Sequence, residues 1–223
     1  MRRFGLMLLL AVVCVSSKAA IILETQDLNA TQYLSLGPTP VGDQAIVASF
    51  TTSMPYSDVS IFASLFNFLP VASIASASLA TQIGPGATTA TQVAQSSLFV
   101  LPGAYQFELF HLPALSPGTY HLVLFTSDPD ADFGWLSSTA ASVIAAPGAS
   151  EAGYGYANSG FNPATSVNRA YLPGSTFASF DDRNNRVLFA VEGTATGVPE
   201  PGTAMMIPGL IALLAALRLK RSK

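Results

Sequence analysis

The densest run of chemistry-bearing side chains in this sequence is Asp128-Pro-Asp-Ala-Asp132, with Gly134 two residues further on. Alternating carboxylates at Asp128, Asp130 and Asp132 can converge their oxygens on a hard cation such as Ca²⁺. The run lacks the bidentate Glu that closes an EF-hand loop, and Phe133 stands where such loops place Gly. The plainer expectation is a solvated acidic loop, with calcium as the alternative and no other cofactor. His111 and His121, the two histidines of the chain, fall on either side of Ser116-Pro-Gly118. A hairpin there would bring them together as a two-His metal pair, but zinc needs further ligands, so two partly buried strand residues are the simpler reading. No Gly-x-Ser-x-Gly elbow frames any serine for Ser/His/Asp catalysis. A glycosidase needs two carboxylates facing each other across a cleft. Glu108 is the one Glu inside a strong strand pattern that could start such a pair, and Glu192 lies at a strand end. Trp135, Tyr154, Tyr156 and Phe161 could stack on sugar rings if exposed. Large aromatics are mostly buried, so Trp135 is expected in the core and the tyrosines packed in a loop.

The elements that must position these residues read as strands. From Arg186 to Glu192, Val187, Phe189 and Val191 fall on one face, opposite Arg186, Leu188, Ala190 and Glu192. Asp181-Asp-Arg-Asn-Asn185 before them is turn chemistry. Ala104 to Leu112 repeats the alternation, with Tyr105, Phe107 and Leu109 inward and Gln106 and Glu108 outward. Thr119 to Phe125 follows the Ser-Pro-Gly break, and the two segments make the strongest expected hairpin. Ala45 to Thr51, Val59 to Phe68 and Val71 to Ile83 are further strands. The stretches from Thr81 to Ser97 and from Ser137 to Gly160 are expected as surface loops. No long 3.6-residue period occurs outside the two termini. Short strands separated by Gly/Pro turns suggest an all-β body, a two-sheet sandwich of jelly-roll type.

Both ends read as membrane signals. Arg2 and Arg3 precede an unbroken apolar run from Phe4 to Val15, and Ser17-Lys18-Ala19 suits cleavage between Ala19 and Ala20. This predicts a secretory signal peptide over residues 1–19, handled by the Sec translocon and signal peptidase. Val13 before Cys14 argues against a lipobox, and the residues after Arg2-Arg3 argue against twin-arginine export. At the other end, Val198-Pro-Glu-Pro-Gly-Thr203 leads into an apolar stretch, Ala204 to Leu217, followed by Arg218, Lys220, Arg221 and Lys223. Pro199 and Pro201 keep Glu200 in an extended, accessible segment. The apolar stretch predicts a transmembrane helix, and the basic cluster holds the tail on the cytoplasmic side.

Residues 198–223 together resemble the PEP-CTERM sorting signal of Gram-negative bacteria. Leu115-Ser-Pro-Gly-Thr-Tyr-His-Leu-Val-Leu124 and Val187-Leu-Phe-Ala-Val-Glu-Gly193 resemble strands in ectodomains of the same proteins. The resemblance implies an exosortase-type processing enzyme acting near Pro199, Glu200 and Pro201. It also implies an inner-membrane precursor that ends at the cell surface or outside it, and an association with exopolysaccharide or biofilm.

Residues 20–197 are left as the exported domain, long enough for one sizeable core. Cleavage would remove Cys14, the single cysteine, so neither disulfides nor thiol catalysis would be available to this domain. It carries three arginines, Arg169, Arg183 and Arg186, no lysine, and twelve carboxylates, a balance of −9. Such a surface repels phosphates, which excludes nucleic acid as a partner. The leading expectation is a noncatalytic surface or matrix protein. The runner-up is a secreted carbohydrate-binding or carbohydrate-active protein on the same scaffold.

Overall fold

The computed structural model describes residues 19–39, 42–83, 87, 89–126, 130–158, 176–179 and 186–196. Residues 1–18 of the expected signal peptide, the Pro-Glu-Pro triplet, the apolar stretch and the basic tail lie outside them. Among the described residues no helix is long and apolar enough to cross a membrane. In chain order the strands are β1 (Ala20–Gln26), β2 (Gln32–Thr39), β3 (Gly42–Thr52), β4 (Tyr56–Asn67), β5 (Ser73–Ala80), β6 (Gln92–Val100) and β7 (Gly103–Leu115). They continue as β8 (Gly118–Phe125), β9 (Phe133–Ser138), β10 (Ser142–Ala145), β11 (Ala149–Asn158), β12 (Thr176–Ser179), β13 (Arg186–Val187) and β14 (Phe189–Ala195). A 3-10 turn, Thr89–Thr91, precedes β6.

The fold is all-β and every pairing is antiparallel, consistent with a sandwich of two sheets. In the first sheet β4 is the hub. It pairs with β7 along one edge, and along the other with β14 and then, through residues 65–67, with β9. Beyond β14 lie β1 and β10. The second sheet runs β12-β11-β3-β8-β5-β6. Strand β2 turns the corner between the sheets: Gln32–Leu36 pairs with β9, and Gly37–Thr39 pairs with β3. Taken alone, the eight strands β2 to β9 order as β2-β9-β4-β7 in one sheet and β3-β8-β5-β6 in the other.

Period-2 alternation explains what fills the space between. Strand β4 sends Val59, Ile61, Ala63 and Leu65 inward, each fully buried, and turns Ser60, Phe62, Ser64 and Phe66 outward. They meet Ile46, Ala48 and Phe50 of β3 and Tyr120, Leu122 and Leu124 of β8 in one core with Phe133, Trp135 and Phe189. The rings of Phe50 and Phe189 lie 6.1 Å apart and bridge the sheets. A second, smaller cluster of Ala45, Val47, Val123 and Phe125, with Ile83 against it, covers the outer face of β3 and β8.

Several local expectations are corrected. Strands β7 and β8 do not form a hairpin: β7 pairs with β4 and β8 with β3 and β5, so Ser116-Pro-Gly118 carries the chain from one sheet to the other. A short Pro-Gly link serves either course, and pairing partners distant in sequence decide between them. The stretches expected as surface loops contain β6, β10 and β11. Alternation in β7 breaks at a bulge, where Ile61 faces Phe110 and Phe62 faces Glu108. The extra residue turns both Leu109 and Phe110 inward. Tyr105 keeps the expected face, in register with buried Leu65, but is 47% exposed near the end of the strand. The Arg186–Glu192 strand has the expected inward residues, Val187, Phe189 and Val191, but is interrupted at Leu188, which is itself buried.

Candidate functional site

The polar side chains that gather at a cavity come from the second sheet. Register places Gly153 of β11, Ser49 of β3, His121 of β8 and Ala80 of β5 in one row. The neighbouring inward residues Ala48, Tyr120 and Leu122 belong to the core, so this row faces out. Thr119 lies two residues along β8 on the same face. Ser49, Thr119, His121 and Gly153, with Gln82 and Ile83 from the segment after β5, line a pocket of about 340 Å³. Ser49 Oγ and His121 Nδ1 are hydrogen-bonded at 2.7 Å. Burial lowers the His121 pKa from its ordinary 6.5, which keeps the ring neutral at pH 7. Gly153 sits at a bulge with φ +124°, and a Cβ there would meet nothing within 4 Å. The glycine therefore leaves the floor open beside Ser49, in a conformation other residues rarely adopt.

A second polar array lies on the exposed face of the first sheet. Ser60 Oγ donates to Glu108 Oε1 at 2.7 Å and lies 3.1 Å from His111 Nδ1. His111 Nε2 is 3.2 Å from Asp58 Oδ1, and its Nδ1 is 3.5 Å from Glu108 Oε1. Asp58 has φ 53°, a left-handed conformation that Asp tolerates, opposite an irregularity in β14. Glu192 pairs in register with Ser60, so both Glu candidates share this face two strands apart. The array is open to solvent: His111, Asp58 and Glu108 expose about half or more of their side chains. One imidazole placed between two carboxylates points its nitrogens in opposite directions, so it cannot join them around a single ion.

The structure separates His111 and His121 onto different sheets, and the two-His pair is withdrawn with the hairpin that would have formed it. Asp130 and Asp132 are exposed on either side of buried Ala131, while Asp128 lies outside the described residues. No group of three His, Cys, Asp or Glu among the described residues is arranged to hold a metal. Trp135 is fully buried, as expected, and its Nε1 donates to Leu188 O at 2.9 Å. Tyr154 is also buried, its hydroxyl donating to Glu151, whose other oxygen meets Arg186 Nε at 3.1 Å. The Trp135 ring cannot stack on a sugar, Tyr154 borders the pocket around Ser49 and His121 while mostly buried, and the side chains of Tyr156 and Phe161 lie outside the described residues. Ala20 opens β1, whereas Pro199, Glu200, Pro201 and the four basic residues lie outside.

Sequence reasoning missed Ser49, Thr119 and Gly153. Alternation within β3 and β8 could have put Ser49 and His121 on outward faces, but nothing local pairs those two strands. The chain has no significant match among protein-family models, curated proteins or solved structures.

Proposed function

We propose that this chain is an exported, noncatalytic cell-surface or matrix protein, sorted through a PEP-CTERM-type signal and associated with exopolysaccharide or biofilm. The carrying observation is the order of three elements at residues 198–223: Pro199-Glu200-Pro201, the apolar stretch Ala204 to Leu217, and the basic cluster Arg218, Lys220, Arg221 and Lys223. In this reading residues 1–19 are a signal peptide, 20–197 an outward-facing ectodomain, and 204–217 a membrane helix with a cytoplasmic tail. At about 1.5 Å per residue that helix covers about 21 Å of a hydrocarbon core about 30 Å thick. Leu219 and the snorkelling stems of Arg218 and Lys220 extend its reach. The body's topology suits a tether. The first and last strands, β1 and β14, run side by side with Ala20 opposite Gly193, so the chain enters and leaves at one end. We further assign the body to the jelly-roll type, supported by the orders β2-β9-β4-β7 and β3-β8-β5-β6.

The test is Glu200→Ala in a host with an exosortase. Export should continue, while unprocessed protein bearing a tag after Lys223 accumulates in the inner membrane. Equal retention of that tag in wild type and variant would sink the sorting reading. The second reading, a secreted carbohydrate-active enzyme, is favoured by one observation: Glu108 and Glu192 share a face. Against it, that face is open, and acid–base glycoside hydrolysis needs a cleft around its paired acids.

A further inference from the structure

We propose that the pocket around Ser49 and His121 is a binding site for a single neutral glycosyl residue, a site that the sorting reading does not supply. The chemistry of its lining selects the ligand. Ser49 and Thr119 bring hydroxyls, Gln82 an amide and His121 an imidazole, while Ile83, Ala152 and Gly153 bring apolar surface. A pyranose has the matching character, with hydroxyls around its rim and C–H groups on its faces. The pocket's 340 Å³ stands near the lower end of the roughly 300–1,000 Å³ of small-molecule sites, which suits one ring better than a folded chain.

Two polar groups of the lining are available. His121 spends Nδ1 on Ser49, and Nε2 has no partner among the described residues. The Ser49 contact selects the tautomer: if Ser49 donates to Nδ1, then Nε2 carries the proton and offers a donor to a ligand oxygen. Thr119 Oγ1 is likewise without a partner among the described residues. An anionic ligand is disfavoured on two counts. The pocket's described lining contains no cation, and Arg186, the one arginine among the described residues, is committed to Glu151. The surrounding body is acidic besides, with twelve carboxylates against three arginines. Nucleophilic use of Ser49 is not proposed, because no carboxylate in the described lining orients His121.

The two histidines make the test self-controlled, since His121 lines the pocket and His111 lies on the other sheet. The full chain, purified in a detergent without a sugar headgroup, is titrated with the methyl glycosides of glucose, galactose, mannose and N-acetylglucosamine. Each is carried to about 100 mM, a hundredfold above a millimolar Kd, while both imidazoles are followed by NMR. The expected result is a saturable shift of the His121 ring with at least one glycoside and a stationary His111. Ser49→Ala and Thr119→Val should each weaken that binding about three- to tenfold, with the remaining spectrum unchanged. The proposal is overturned if no glycoside moves His121, if both histidines move in parallel, or if both variants bind like wild type. Binding is read on purified protein and processing in cells, so failure of the pocket and failure of the sorting reading are distinguishable.

Discussion

His121 is the residue whose environment makes the clearest demand on pH. Its folded-state pKa is depressed below 6.5 by burial, so between that value and 6.5 the unfolded chain binds the proton that the folded chain refuses. Stability is then fully present above about pH 6.5 and is lost as pH falls toward the depressed value. Melting temperature should drop on acidification from about pH 7.5 to about pH 5.5, and His121→Gln should flatten that slope. Identical slopes in the two proteins would contradict the assignment. Tyr154 works at the opposite extreme. Burial first, and then the hydrogen bond to Glu151, raise its pKa well above 10. Alkaline solution ionises the unfolded tyrosine before the folded one, so stability falls above about pH 10. At the acidic loop Asp130 and Asp132 are exposed and Asp128 lies outside the described residues, so the solvated reading stands as an expectation. Millimolar Ca²⁺ should leave the melting temperature nearly unchanged, whereas a ligand at about 100 times its Kd would add about 2.7 kcal/mol. A clear rise that disappears in Asp130→Ala would favour calcium binding instead.

At the scale of elements the instructive place is Leu188, where one expected strand becomes two. Arg186 and Val187 pair with β9, whereas Phe189 onward pairs with β4. The backbone between them is satisfied from three sides: Leu188 N donates to Leu136 O, and Leu188 O accepts from Ser64 N and Trp135 Nε1. Thr25 of β1 completes the junction. Its Oγ1 donates to Val187 O at 2.6 Å and accepts from Phe189 N at 2.9 Å, so a buried side chain replaces the missing ladder bonds. Trp135→Phe keeps an aromatic ring but leaves Leu188 O one donor short, and should cost about 1–3 kcal/mol. Trp135→Ala adds a cavity in the core and should cost about 3–5 kcal/mol. Urea denaturation measures both. If Phe and Ala cost the same, the indole hydrogen bond rather than the ring carries the effect. Gly134 shows the same closeness from the backbone side: a Cβ there would lie 2.6 Å from Tyr33 Cβ, under the Tyr33–Phe68 contact.

For the whole molecule, the pairing of β1 with β14 ties the first described strand to the last. Trimming β1 would expose one edge of β14 and uncover Ile22 and Leu23, both essentially buried. A signal-peptide cut between Ala19 and Ala20 leaves this strand whole, because β1 begins at Ala20. Mass spectrometry of exported protein should therefore find an N-terminal peptide starting at Ala20. Retention of Phe4 to Val15 would refute the signal peptide. The far end of β4 from this junction is apolar and partly exposed, with Phe68 and Leu101 about half in solvent. Asn67 holds the links there together, donating to Val71 O and Val100 O at 2.8 Å each.

Local pattern in the chain was enough to read an all-β body, the strands around Ala45–Thr51, Val59–Phe68 and Val71–Ile83, and the inward faces of Val187, Phe189 and Val191. Alternation is a property of neighbouring residues, and a half-buried strand writes it directly into the sequence. Trp135 in the core was legible for a similar reason, since an indole of that size is seldom left in water. Strand partnership was not legible. Ser116-Pro-Gly118 looks the same whether it closes a hairpin or passes between sheets, and only the long-range pairing of β7 with β4 and of β8 with β3 distinguishes them. The bulge that turns both Leu109 and Phe110 inward and the break at Leu188 depend likewise on partners far away in sequence. The pocket follows the same rule. Ser49, His121 and Gly153 are separated by 72 and 32 positions along the chain and meet only because β11, β3 and β8 lie side by side.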